Sequence, residues 1–283
     1  MMAYCVMNGV VLIDSSSIPA PEERMAAYTA NTWQPERTQA EINSNTSQGK
    51  RAENAFEAYA SQFLNFEYVT YDRIRTDEYK KSAPFDGLLY RKAAGKEEIL
   101  AGYVTRIQSE IAGNGYGHIS SALRADMERD EIYTVEIKYT AVNEKKRTDS
   151  AGDLEKLLEL INQDDYLAYP LYCRTSEDID TFEKYCNFVY NCRETFGCAW
   201  GKEFVNKLLK KEYDNMSMIQ VRIYVDDKRF YIMGYTLKND ILRNHRIKKM
   251  VQPGKSELAV YYYQKIKDGH ACNNLFSDRR LWK

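Results

Sequence analysis

The sequence predicts an α/β fold, a central mixed β-sheet flanked by helices, and three observations carry that prediction. Ala52, Phe56, Tyr59, Ala60 and Phe63 recur at i, i+4, i+7, i+8 and i+11, the apolar stripe of an amphipathic helix. Glu131–Thr140, EIYTVEIKYT, is rich in β-branched and aromatic residues, the composition of a strand. Leu154, Leu157, Leu158 and Ile161 mark another helix face, followed by a strand over Tyr166–Cys173, so helices and strands alternate along the chain.

Residues 1–48 read as an N-terminal extension packed on the core: a short strand-like segment, Ser15-Ser16-Ser17, Pro19-Ala20-Pro21, then a polar stretch. A helix is expected from Gly49 to about residue 64, and a strand from Glu67 to Arg75, with Val69 and Tyr71 alternating with Tyr68 and Thr70. A hairpin of Phe85–Arg91 and Glu97–Ile107 turns at Ala93-Ala94-Gly95-Lys96, and a helix over Ile119–Arg129 follows the loop Asn114-Gly115-Tyr116-Gly117. Ser150-Ala151-Gly152-Asp153 resembles a helix start. Helices over Glu177–Asn191 and Lys202–Glu212 precede a hairpin of Ile219–Val225 and Arg229–Tyr235 around Asp226-Asp227-Lys228. A basic helix, Lys238–Met250, and a strand, Leu258–Ile266, close the chain. The organisation is therefore an extension (1–48), a core (49–200) and a basic α+β portion (201–283) of the same globular unit.

With 283 residues, 44% hydrophobic and 29% charged, the chain can bury an ample core. No apolar run reaches eighteen residues, and the start MMAYCVMNGVVLID lacks the positive leader and cleavage site of a secretory signal, which predicts a cytoplasmic protein outside the membrane. Cysteines 5, 173, 186, 192, 198 and 272 include no C-x-x-C pair, and with three histidines they argue against zinc and for free thiols. There is no G-x-x-x-x-G-K-[ST] phosphate loop and no nucleophile–histidine set. Residues 1–200 hold 22 Lys and Arg against 32 Asp and Glu, whereas residues 201–283 hold 18 against 9. Basic character thus gathers at Lys238, Arg243, His245, Arg246, Lys248, Lys249 and Lys255, as a solvated helix face or a phosphate-tracking surface. Many of the 23 tyrosines lie in strand-like runs, where alternate members pack inward.

Along Glu131–Thr140, Glu136 and Lys138 share one face with Ile132, Thr134 and Thr140, while Tyr133, Val135, Ile137 and Tyr139 take the other. A surface ion pair accounts for Glu136 and Lys138 equally well on their own. Upstream, Ser82-Ala83-Pro84-Phe85-Asp86-Gly87-Leu88-Leu89-Tyr90 leads a proline turn into Asp86 and an apolar strand, and Glu53 borders the first helix stripe. Two carboxylates and a lysine converging at one sheet edge would suit an oxygen-liking metal.

With these pieces in this order, the chain from about Gly49 to Cys173 resembles the PD-(D/E)XK nuclease superfamily, the restriction-endonuclease-like fold. The resemblance implies an αβββαβ core with N- and C-terminal additions, completed by the helix at Leu154 and the strand at Tyr166. It also implies Mg²⁺, replaceable by Mn²⁺, on Asp86 and Glu136, with Lys138 activating or orienting water and Glu53 adding a ligand or hydrogen bond. The implied activity is endonucleolytic hydrolysis of DNA phosphodiester bonds, with Arg243, Arg246, Lys248 and Lys249 contacting phosphate. The partner is then DNA, and a homodimer is compatible with these features. The alternative is a non-catalytic nucleic-acid-binding or protein-interaction module on the same scaffold.

Overall fold

Asn8 and Gly9, a dipeptide that tolerates two successive positive φ angles, adopt φ 51° and 80° and join β1 (Tyr4–Met7) to β2 (Val10–Asp14) in a tight hairpin. The computed structural model describes residues 4–19, 39–81, 83–113, 117–170, 216–244, 246–251 and 258–282. After the hairpin come α1 (Gln39–Ala60), β3 (Phe66–Thr70), the single turn α2 (Tyr71–Ile74), β4 (Gly87–Arg91) and α3 (Lys96–Ala112). Then follow α4 (Ser121–Arg129), β5 (Ile132–Ala141), α5 (Glu144–Ser150), α6 (Leu154–Asn162) and β6 (Asp165–Pro170). Beyond residue 215 lie β7 (Ile219–Val225), β8 (Arg229–Leu237), α7 (Lys238–Asn244), β9 (Ile247–Val251) and β10 (Leu258–Lys265).

Seven strands form one mixed sheet in the order β1-β2-β8-β7-β5-β4-β3, in which β5 and β7 run parallel and every other neighbouring pair is antiparallel. Helix α1 covers one face, burying Ala52, Ala55, Phe56 and Tyr59 against Tyr133, Val135 and Ile137 of β5 and the inward residues of β7 and β8. Helices α3 and α4 cover the face of β4 and β5 on the other side, packing Tyr103, Ile107, Ile111, Leu123 and Met127 on Leu88, Tyr90 and Ile132. Each such side chain removed from water contributes roughly 1.5–3 kcal/mol, so the two layers hold β5 rigidly between them. A smaller sheet, β6-β10-β9, is hydrogen-bonded separately from the main sheet.

Several sequence expectations need correction. Residues 97–107 are helix rather than the second strand of a hairpin: Tyr103, Ile107 and Ile111 bury at i, i+4 and i+8, and Gly95, at φ 76°, makes the left-handed turn that starts α3. The strand expected to reach Arg75 ends at Thr70, because Tyr71 and Ile74 both bury one turn apart in α2. Helix α1 begins ten residues before Gly49, which lies inside it over the ring of Tyr139, where a Cβ would sit 3.5 Å from Cε1. Residues 165–170 do not continue the main sheet; the strand parallel to β5 is β7. A central strand must keep its N–H groups and bury an apolar face, which Ile219, Val221, Ile223 and Val225 of β7 provide on the α1 side, whereas Pro170 suits the edge position β6 occupies. The basic helix stops at Asn244, and residues 247–251 pair with β10 instead. The expected helices over 177–191 and 202–212, residues 171–173, Cys173, Cys186, Cys192, Cys198, His245 and Lys255 lie outside the described residues.

The end of the chain folds back onto the α1 face. Trp282 sets its ring edge-on to Phe66 and Tyr133, with centroids at 4.8 and 5.1 Å, and donates its indole N–H to the Leu275 carbonyl at 2.7 Å. Trp282→Ala should therefore lower stability by about 3–5 kcal/mol in urea unfolding, in one cooperative transition with the rest of the sheet. A loss within about 0.5 kcal/mol would mean that the C-terminal segment is not part of the core.

Candidate active site

The loop from α2 to β4 is fixed by two arginines before it delivers Asp86. Arg75 donates to the Asp77 carboxylate at 2.8 Å and to the Lys81 carbonyl at 2.8 Å, and its guanidinium lies 4.2 Å from the centroid of the Tyr79 ring. Arg124 of α4, only 3% exposed, donates to the Pro84 carbonyl at 2.8 Å and to the Thr134 hydroxyl of β5 at 3.3 Å. Phe85 buries against Tyr71. The chain at Asp86 then has little freedom left.

Asp86 closes the β4–β5 ladder. Its N–H donates to the Val135 carbonyl at 2.9 Å, and its carboxylate accepts the N–H of Ile137 at 2.5 Å. Since Ile137 is the middle residue of Glu136-Ile137-Lys138, this bond sets Asp86 beside the E-x-K pair. The next residue must be glycine: a Cβ on Gly87 would lie 2.4 Å from Cζ of Tyr68. Glu136 and Lys138 project on the face of α3 and α4, as the alternation of β5 requires, and their side chains pair with each other. Side-chain exposure of 39% for Lys138 and 25% for Glu136 keeps the pair open to solvent.

Glu53 comes from the buried side of α1 and is 8% exposed. Its carboxylate accepts from Lys50 at 2.7 Å, one helical turn back, and Lys50 also reaches Asp72 of α2 at 2.7 Å. Glu53, Asp86, Glu136 and Lys138 thus lie within electrostatic reach of one another. Loss of water around the carboxylate of Asp86, a half-buried residue, pushes it well above the ordinary range, and the charges of Glu136 and Glu53 push it further. Burial raises the Glu53 carboxyl too, against the pull of Lys50. Burial alone would lower Lys138, but Glu136 and Asp86 outweigh it and hold the ammonium charged.

Lys50, Asp72 and Tyr68 also belong to this cluster and were not singled out from sequence. The i, i+3 spacing of Lys50 and Glu53 was a legible signal, whereas Asp72 was hidden in a stretch that reads as strand. Tyr68 is 4% exposed, and its hydroxyl, which burial and the charges of Glu53 and Asp86 keep protonated, finds no hydrogen-bond partner. The basic residues are more scattered. Arg243 is exposed at the end of α7, Arg246 pairs with Asp268 at 3.1 Å, and Lys248 and Lys249 lie in β9, so the four share no helix face. Lys238, from the same expected helix, turns inward to Glu128 at 3.2 Å.

Among the described residues, no three of His, Cys, Asp and Glu are gathered as a ready-made metal cage. Mg²⁺ does not need one, because it is commonly held by one or two carboxylates with water and substrate phosphate filling the other positions. The oxygen donors of Asp86 and Glu136 fit that requirement, and the unpaired Tyr68 hydroxyl is suited to hydrogen-bond hydrated groups nearby. The chain matches no protein-family model, and comparisons with curated proteins and with solved structures returned no match.

A carboxyl whose folded pKa exceeds its unfolded value adds stability that is fully present below the unfolded pKa and lost as pH rises through the folded one. For Asp86 that loss falls above the ordinary carboxylate range. In EDTA, the melting temperature of the wild type should therefore decline relative to Asp86→Asn as pH rises from about 4 to 8. Parallel curves would show that Asp86 ionises like a surface carboxylate.

Proposed function

We propose that the chain is a metal-dependent endonuclease of the PD-(D/E)XK type, hydrolysing phosphodiester bonds of DNA. The observation that carries this reading is Asp86 bonded through its carboxylate to Ile137, between Glu136 and Lys138, with Glu53 of α1 within electrostatic reach of Asp86. The topology is compatible with it: α1, the antiparallel run β3-β4-β5, helices α5 and α6, and β7 parallel to β5 follow an α-β-β-β-α-β order once α2, α3 and α4 between these strands and β6 before β7 are taken as insertions. The absence of a phosphate loop or nucleophile–histidine set in the sequence turns attention to the same carboxylates.

Asp86 and Glu136 would hold Mg²⁺, or Mn²⁺ in its place; bound there, the ion supplies positive charge beside the phosphate and lowers the pKa of its water. Lys138 keeps its proton and presents N–H donors and charge to the non-bridging phosphate oxygens, reachable because its side chain stays open to solvent. Glu53, accepting from Lys50, is placed to orient water at the cluster. Arg243 and Arg246, with Lys248 and Lys249 of β9, are the candidates for phosphate contact, from a helix end and an edge strand.

One observation favours the non-catalytic binding module: Glu136 and Glu53 already have ammonium partners in Lys138 and Lys50. Cleavage of plasmid and oligonucleotide DNA in Mg²⁺ separates the two readings. Glu136→Gln and Lys138→Ala should each slow cleavage by about 10²–10³, with circular dichroism and DNA binding close to wild type. Wild-type cleavage by Glu136→Gln at saturating Mg²⁺ would remove the catalytic role of β5, and DNA binding without cleavage by the wild type would favour the module.

A further inference from the structure

The nuclease reading gives no chemical role to the side chains of β7, although β7 lies directly beside the E-x-K segment. The two strands run parallel and in register, with Glu136 level with Gln220 and Lys138 level with Arg222. Side chains at paired positions project from the same face, so Gln220 and Arg222 stand next to Glu136 and Lys138 at the inter-strand spacing of about 4.8 Å. The alternate residues agree: Ile219, Val221, Ile223 and Val225 enter the core under α1. Of the β7 side chains on the E-x-K face, Gln220 and Tyr224 are 1% and 2% exposed, whereas Arg222 is partly exposed. Arg222 is therefore the group of β7 that can meet a solute beside Lys138.

Like charges at paired positions repel and cost stability. Arg222 is close enough for its charge to oppose that of the Lys138 ammonium. On its other edge Arg222 is level with Gly234 of β8, so its strand neighbours are a cation and a glycine. The guanidinium donates to the Thr140 hydroxyl and lies 5.3 Å from the centroid of the Tyr224 ring. That ring is fixed in turn, its hydroxyl donating to Asp164 at 2.6 Å. A planar fork of donors is thereby held next to the point charge of an ammonium, on the face that presents Glu136. Two cations kept side by side in this way suit an anion with several oxygens.

We propose that Arg222 is a second cationic contact to the scissile phosphate: its guanidinium and the Lys138 ammonium take non-bridging oxygens of the same phosphodiester. This rests on the nuclease reading above and adds to it a catalytic residue from a strand outside the motif. In the hydrolysis, water adds its oxygen to phosphorus, the ester P–O bond breaks, and the proton that water loses ends on the departing sugar oxygen. The negative charge that gathers meanwhile on the non-bridging oxygens is what the two cations stabilise. The fork contributes what a lysine lacks, parallel N–H donors matched to two phosphate oxygens.

The test is DNA cleavage kinetics of the full chain in saturating Mg²⁺, comparing the wild type with Arg222→Ala, Arg222→Lys and Thr140→Val. Arg222→Ala should lower kcat by about 10²–10³ and leave KM within about threefold, the pattern of a contact made in the transition state. Arg222→Lys, which keeps the charge and loses the fork, should recover part of that loss and stay about tenfold below the wild type. Thr140→Val removes the hydroxyl that Arg222 holds and should cleave within about threefold of the wild type, whereas a bracing role for Arg222 would make it as slow as Arg222→Ala. Arg222→Gln replaces Arg222→Ala in the comparison should the alanine variant not fold. Cleavage by Arg222→Ala or Arg222→Lys at the wild-type rate overturns the proposal, as does a Thr140→Val as slow as Arg222→Ala, and in each case the nuclease reading stands. No cleavage by the wild type overturns that reading and this inference with it.

Discussion

Strand β5 outruns its neighbour β4, and the structure around the site follows from that mismatch. The two pair from Tyr90 with Ile132 to Gly87 with Val135, after which β5 continues to Ala141 with nothing from β4 beside it. The N–H of Ile137, on a residue only 8% exposed, would be left as a costly unpaired donor. The Asp86 carboxylate takes that bond, so a side chain finishes a ladder that the backbone cannot. A carboxylate is consequently fixed at the fork between two strands, beside whatever β5 presents there, which is Glu136 and Lys138.

That arrangement sets stability against chemistry. Carboxylates partly dehydrated and crowded in one place are costly to ionise: burial first, then the neighbouring negative charges, push Asp86 and Glu53 upward. The surroundings bear it through rigid packing: Arg124 and Arg75 clamp the loop, Gly87 lets the Tyr68 ring lie close, and α1 seats Phe56 edge-on to that ring at 5.0 Å. Groups that destabilise a fold yet are held this firmly are what a binding or catalytic site requires.

Much of this was legible in the sequence because two periodicities are strong. The stripe of α1 and the alternation of β5 gave the correct faces, and the hairpin of β7 and β8 followed from its Asp-Asp-Lys turn. What misled was short-range ambiguity. Ile99, Ala101 and Tyr103 fit a strand over five residues, and only the further spacing to Ile107 and Ile111 shows the helix. The partner of β5 was legible as a strand in the alternation of Ile219, Val221, Ile223 and Val225, but sequence order favoured the nearer segment at 166–173. Asn8-Gly9 was a readable hairpin signal that a simple strand assignment overlooked. At the site, Asp86, Glu136, Lys138 and Glu53 could be named from motif order, while Lys50, Asp72 and Tyr68 join them only through three-dimensional packing between α1, α2 and β3.

The central claim is that the fork between β4 and β5 is a metal site, and anomalous scattering from crystals soaked in Mn²⁺ tests it most directly. The account predicts one strong peak in contact with the carboxylates of Asp86 and Glu136, absent from Asp86→Asn crystals treated in the same way, with Lys138 released from Glu136. A peak elsewhere, or none while Lys138 keeps its bond to Glu136, would contradict it.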